Sequence, residues 1–144
     1  MKVNECMTRH VRIVDPDETL QGAARVMADI DAGILPVGEN DRLVGVVTDR
    51  DIAIRAVAAG RAPNARVRDV MSGTVSYCFE DDDAKDVLDT MANFQIRRMP
   101  VLDRNKRLVG IVSITDLAHN GEAALAGHTL GDITRPSGLH SQSL

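Results

Sequence analysis

The chain has 144 residues, 44% of them apolar, with two Phe, one Tyr and no Trp, so its core must be built from aliphatic side chains and methionine. A fold of this length buries roughly 68–70% of its unfolded surface and can hold a core without staples. Seventeen basic against 21 acidic residues give a net charge of −4, which together with so few rings excludes the electrostatic and stacking footprint of a nucleic-acid partner.

In chain order, residues 11–14 (Val-Arg-Ile-Val) alternate as a short strand does, and Asp15-Pro16-Asp17 turns the chain. Leu20, Ala23, Ala24, Met27 and Ile30 lie on one apolar face, which predicts a helix over Leu20–Ile30 favoured by the acids before it. Residues 33–37 and 43–48 flank a polar stretch, 38–42, and predict a hairpin with a longer loop. A helix follows from about Asp49 and fades at Gly60, residues 60–64 form a loop, and 67–71 form a short helical turn.

The second half predicts the same order. Residues 75–78 read as a strand, and Ala84, Val87, Leu88, Met91 and Phe94 mark a helix over Ala84–Phe94, whose start is favoured by the acidic run 80–83. Residues 98–103 and 108–113 form a second hairpin, and a helix starts at about Thr115. Beyond Gly121 the pattern weakens, so residues 127–144 are expected to have no core face of their own, being disordered or lying over a partner subunit. No stretch of about eighteen apolar residues occurs, and MKVNECMTRH leads into no signal-like apolar run, so the expected location is soluble and cytoplasmic, with no membrane partner.

The two halves are copies. Gly45–Asp51 (GVVTDRD) returns 65 positions later as Gly110–Asp116 (GIVSITD), Pro36-Val37 matches Pro100-Val101, and the helix stripes match at an offset of 64. Two units are too few for a solenoid, which needs about three, so a closed pseudo-twofold pair is expected. Cys6 and Cys78 occupy unrelated repeat positions and read as two reduced thiols. His10, His119, His128 and His140 have no metal-binding spacing and no repeat counterpart, and no nucleophile and base stand at triad-like spacing, so neither a metal, a catalytic cofactor nor an enzyme is expected.

The repeated segment closes a strand and opens a helix, with a hydroxyl residue at the start and an acid three positions on. Free backbone N–H groups converge there, and Asp51 and Asp116 can each accept two hydrogen bonds from a vicinal diol. Thr48-x-x-Asp51 and Ser113-x-x-Asp116 equally resemble a helix capping box with Asp in place of Glu, and spacing alone does not choose. Gly45 and Gly110 let backbone or ligand approach closely.

GVVTDRD and GIVSITD, each preceded by a Pro-Val hairpin strand, resemble the CBS domain signature, met twice as in the tandem pair called a Bateman module; the likeness spans roughly residues 5–121. The resemblance implies an α+β fold of two β-α-β-β-α repeats, 5–62 and 67–121, packed as a pseudo-twofold pair, with 122–144 as a C-terminal extension. It implies a non-enzymatic sensor that binds an adenine nucleotide (AMP, ADP, ATP or NAD) or S-adenosylmethionine in clefts between the repeats, forms a homodimer and regulates a partner the sequence does not name. A ligand-free interaction scaffold is the alternative. Carried over by position, Asp51 and Asp116 would hold ribose, Thr48 and Ser113 would face the ribose or phosphate, and Arg50 and Thr115 would add phosphate contacts. Adenine would lie by Val11, Ile34 and Leu35 in one cleft and by Val75 and Met99 in the other, although all five serve equally as core. Arg97 and Arg98, just before Met99-Pro100, match basic phosphate-facing positions, whereas the first copy has Gly33-Ile34 there, so the two clefts are expected to be unequal.

Overall fold

The computed structural model describes residues 1–136, and the last residues of the predicted extension, 137–144, lie outside them. The fold is α+β, with a two-stranded and a three-stranded sheet.

Helix α1 spans Leu20–Ile30 and α3 spans Ala84–Phe94, as the stripes predict. Thr19 Oγ1 caps α1 by accepting from Gly22 N at 3.0 Å, and Asp83 caps α3 by accepting from Lys85 N at 3.2 Å. Each helix ends on a left-handed residue, Asp31 (φ 53°) and Gln95 (φ 52°), after which the chain turns back. Leu20, Ala23 and Met27, and Ala84, Val87, Leu88 and Met91, are buried. The stripes are narrower than predicted: Ala24 is exposed, and so are Ile30 (39%) and Phe94 (65%), the last residues of their helices.

Strands β1 (Ile34–Glu39) and β2 (Arg42–Thr48) pair antiparallel, with Leu35 opposite Val47 and Ile34 opposite Thr48. The expected long loop is a two-residue turn: Asn40 (φ 53°) and Asp41 (φ 61°) both adopt the left-handed geometry that joins twisted strands most tightly. The expected strand at 11–14 is a single parallel bridge, Val14 to Val37. In the second half the expected strand at 75–78 moves to β3, Cys78–Phe79, parallel to β4 (Arg98–Leu102), which lies beside β5 (Leu108–Ser113).

Two compact units result, and they do not follow the repeats. One holds His10–Ser76 with Asn105–Leu108; the other holds Tyr77–Arg104, the chain from Val109 on, and Met1–Arg9 from the opposite end of the sequence. Each copy's leading segment thus completes the other copy's unit. Val3, Cys6 and Met7 join the core of Val87, Leu88, Met91, Met99 and Val112, and Thr8 exchanges hydrogen bonds with Ile111 (2.8 and 3.0 Å). Val67 and Val70 likewise join Leu20, Ala23, Leu35 and Val47, and Ser72 exchanges bonds with Val46 (2.9 and 3.0 Å).

These bridges explain the repeated glycines. A Cβ on Gly45 would stand 2.7 Å from the Ser72 carbonyl oxygen and 2.9 Å from Met71 Sδ; on Gly110 it would meet Thr8 O at 2.7 Å and Met7 Sδ at 2.9 Å. The close neighbour is backbone, so Gly45→Ala and Gly110→Ala must force the bridge apart. Each is expected to cost about 1–3 kcal/mol in urea unfolding, and an unchanged midpoint would show that the bridge can move aside freely.

The helix following β2 begins as α2 (Asp49–Asp51) and continues as a π-wound turn, Ile52–Val57. Its counterpart α4 (Ile114–Leu117) runs into a turn that Asn120 and Gly121 (φ 111°) interrupt, a geometry glycine alone takes without strain. The chain then forms α5, Ala123–Ile133. This corrects the expectation of an extension without a core face. Ala126 enters the core of its unit and Thr129 is buried, its Oγ1 donating to Leu88 O of α3 at 3.5 Å. Ala126, Thr129 and Ile133 pack inward while Leu125 and Leu130 stay exposed, so no amphipathic stripe marks that face in sequence.

Candidate functional site

Each unit carries one copy of the strand-to-helix corner. In the first copy Thr48 Oγ1 accepts from Asp51 N at 3.0 Å while Thr48 N donates to Asp51 Oδ2 at 2.9 Å. In the second, Ser113 Oγ accepts from Asp116 N at 3.0 Å and Ser113 N donates to Asp116 Oδ2 at 2.9 Å. The capping box is therefore present in both copies. It does not consume the carboxylates: an ionised Asp offers about four lone-pair sites, and the box engages one oxygen of each, leaving Oδ1 outside it.

The preceding hairpin strand closes each corner in the same way. Asp49 N donates to Gly33 O, and Ile114 N donates to Arg97 O, both at 2.9 Å. Residues 33 and 97 therefore occupy equivalent places, and the corners differ in the side chains they bring. Arg97 and Arg98 are exposed, and neither guanidinium has a hydrogen bond or ion pair among the described residues. Thr115 is exposed in the first turn of α4, as Arg50 is in α2.

Two residues that sequence reasoning missed shape the first corner. Arg55 Nε lies 3.7 Å from Asp51 Oδ1, and Arg55 Nη1 donates to Val70 O at 3.3 Å. Its counterpart Asn120 instead donates to the main-chain oxygen of Asp116 at 2.7 Å. Asp49, opposite Ile114 in the repeat, turns its carboxylate toward Gly33. The available signals were the four-residue spacing of Asp51 and Arg55 and the acid-for-isoleucine exchange between copies.

The apolar candidates separate. Leu35 (0% exposed) and Met99 (1%) belong to the two cores and present no surface for a base. This corrects their assignment as adenine contacts: side chains alternate along a strand, so Ile34 and Arg98, one residue earlier, are the outward positions. Ile34, Val11 and Val75 are half-buried. Val75 falls in the unit of His10–Ser76, whereas Met99 falls in the other.

The remaining chemistry is quiet. Cys6 and Cys78 are free and buried. Burial, with smaller contributions from Asp82 and Cys6, pushes the Cys78 thiol up to about 12, and burial followed by Asp116 and Glu5 raises that of Cys6. Among the described residues no three His, Cys, Asp or Glu are grouped to hold a metal, and no helix is long and apolar enough to cross a membrane. A cavity of about 470 Å3 between the ends of α3 and α5, lined by Asn93, Gln95 and Asp132 among others, contains none of the repeated motif residues.

A sequence model of the CBS domain matches residues 3–57 and again residues 67–122, including both corners. The chain belongs to the CBS domain family. It is a CBS-pair regulatory module. The CBS domain-containing protein YhcV of Bacillus subtilis (strain 168) is 42% identical over 118 residues, 82% of this chain and 84% of that protein. The crystal structure of Hypoxic Response Protein I with two coordinated zinc ions is similar to this CBS pair with a TM-score of 0.76 and 38% identity, covering 83% of this chain and 98% of that one. The CBS domain pair of protein MJ0100, solved in complex with 5-methylthioadenosine and S-adenosyl-L-methionine, shares the fold with a TM-score of 0.75 at 24% identity, covering 86% and 98% of the two chains.

Proposed function

We propose that this CBS pair is a non-catalytic sensor that binds an adenine nucleotide through the corner of its second copy. The observation that supports this most is the pairing, in one corner, of a carboxylate oxygen outside the capping box with two guanidinium groups that have no partner among the described residues. Asp116 is held by Ser113 through Oδ2, so its other oxygen is oriented in advance for a ribose diol. Arg97, tied to the same turn through its carbonyl, and Arg98 supply forked donors for phosphate. Ser113 and Thr115 add hydroxyls at the helix start. By position Asp51, Thr48 and Arg50 form the related corner of the first copy, with Ile34 and Val11 as outward apolar surface for a base, and Val75 is the second copy's counterpart of Val11. A ligand of this kind regulates only by binding one arrangement of the protein better than another.

Thermal unfolding with AMP, ADP, ATP, NAD and S-adenosylmethionine tests this reading. A bound nucleotide at about a hundred times its dissociation constant stabilises the fold by about 2.7 kcal/mol. Asp116→Asn keeps an oxygen for the cap but loses the charge and an acceptor, and is expected to cut that shift to about half or less with the unliganded melting point little changed. A flat response to all five compounds favours the ligand-free scaffold, a reading that the two closed capping boxes favour.

Self-association belongs to the same proposal. The turn Ile52–Val57 leaves Ile54 53% and Val57 72% exposed, and α5 leaves Leu125 and Leu130 exposed, apolar helix surface of the kind a second copy buries. Light scattering is expected to give a homodimer that Val57→Lys disrupts.

A further inference from the structure

The two corners differ most at one pair of positions: Gly33 with Asp49 in the first copy, Arg97 with Ile114 in the second. In both, the later residue's N–H donates to the earlier residue's carbonyl at 2.9 Å, so the two side chains leave the backbone next to each other. In the second copy Ile114 is 8% exposed and belongs to the core, which leaves the surface to Arg97. In the first copy the carboxylate of Asp49 occupies the space where a side chain on residue 33 would begin. A Cβ there would stand 2.9 Å from Asp49 Oδ2 and 3.3 Å from Oδ1. Gly33 and Asp49 therefore form one feature, in which an exposed anion stands where the second copy presents a cation.

We propose that Asp49 is an anion-excluding residue, so that a phosphate-bearing adenosine ligand fills the second-copy corner and not the first. The inference rests on the nucleotide reading above and adds to it a reason for unequal occupancy. Asp51 cannot supply the difference, because Asp116 matches it in the other copy and Arg55 stands against its charge. The Arg50 side chain has no ion pair among the described residues, but it lies between Asp49 and Asp51, and Asp49 Oδ1 accepts its backbone N–H at 2.8 Å. A phosphate approaching that turn meets the carboxylates of Asp49 and Asp51 against the guanidinium groups of Arg50 and Arg55. In the second copy it meets two guanidinium groups and one carboxylate.

Isothermal titration with AMP tests the proposal by counting sites. Wild-type protein is expected to bind one AMP per chain, and Asp116→Asn to weaken that site by about tenfold or more. Asp49→Lys reverses an exposed charge at the first corner and is expected to add a second site, within about tenfold of the first, that Asp51→Asn in the same chain removes. Asp49→Asn, nearly isosteric, is expected to give the same second site more weakly and covers the case in which lysine disturbs the turn. Two equal AMP sites in the wild type would overturn the assignment of Asp49, and so would one unchanged site in both Asp49 variants. No binding of AMP, ADP, ATP or NAD by the wild type in the same titration would defeat the nucleotide reading itself, and this inference with it.

Discussion

Met99→Ala is expected to destabilise the protein by about 2–5 kcal/mol while leaving the affinity of any nucleotide nearly unchanged. Met99 is 1% exposed on β4, packed among Val87, Leu88, Met91 and Val112 under the strand-and-helix layer of its unit. Truncation removes three side-chain heavy atoms from a close-packed site whose neighbours relax only in part, so the lost burial and the residual cavity both count. Leu35, 0% exposed between Val14, Val37 and Val47, is the matching probe in the other unit, with the same expected range for Leu35→Ala. Urea unfolding combined with titration of the surviving native protein separates the two roles. A loss below about 1 kcal/mol together with abolished binding would return these residues to the ligand site.

Alkaline pH is expected to weaken the fold through Cys78. Burial holds its thiol neutral to about 12, against an ordinary value of 9.0, and the nearby Asp82 and Cys6 act in the same direction. A group whose folded pKa is raised contributes its full stabilisation below the unfolded value and loses it as pH climbs from about 9 toward about 12, because the unfolded chain ionises first. Three pH units correspond to at most about 4 kcal/mol. Chemical unfolding between pH 8 and 10.5 is expected to show a steeper decline for the wild type than for Cys78→Val, which keeps the volume and removes the proton. Cys6, raised for the same first reason, leaves a smaller slope in the variant. Identical slopes for the two proteins would contradict the account.

The helices were legible because their apolar spacing is strong and their ends carry recognisable chemistry: Leu20–Ile30 and Ala84–Phe94 match residue for residue. The short strands were not. Residues 11–14 and 75–78 alternate like strands, but pairing partners decide how much of an alternating stretch becomes a strand, and Val14 finds one bridge while Cys78 and Phe79 find two partners. The reciprocal placing of residues 1–9 and 66–72 was invisible, since periodicity reports a buried face and not which core receives it. At the corners, spacing located all four motif residues, yet it could not tell a cap from a ligand contact because the same carboxylate makes the cap and keeps an oxygen to spare. Leu35 and Met99 were misplaced because one position along a strand exchanges inside for outside.

The most direct measurement of the central claim compares AMP with its 2′,3′-dideoxy analogue on wild-type protein and on Asp116→Asn. If the Asp116 carboxylate grips the ribose diol, removing the two hydroxyls costs the wild type about tenfold to a hundredfold in affinity, and the variant binds both compounds equally weakly, so the two losses are not additive. Equal wild-type affinity for the two compounds, or a variant that still discriminates between them as the wild type does, would show that Asp116 serves its own main chain alone.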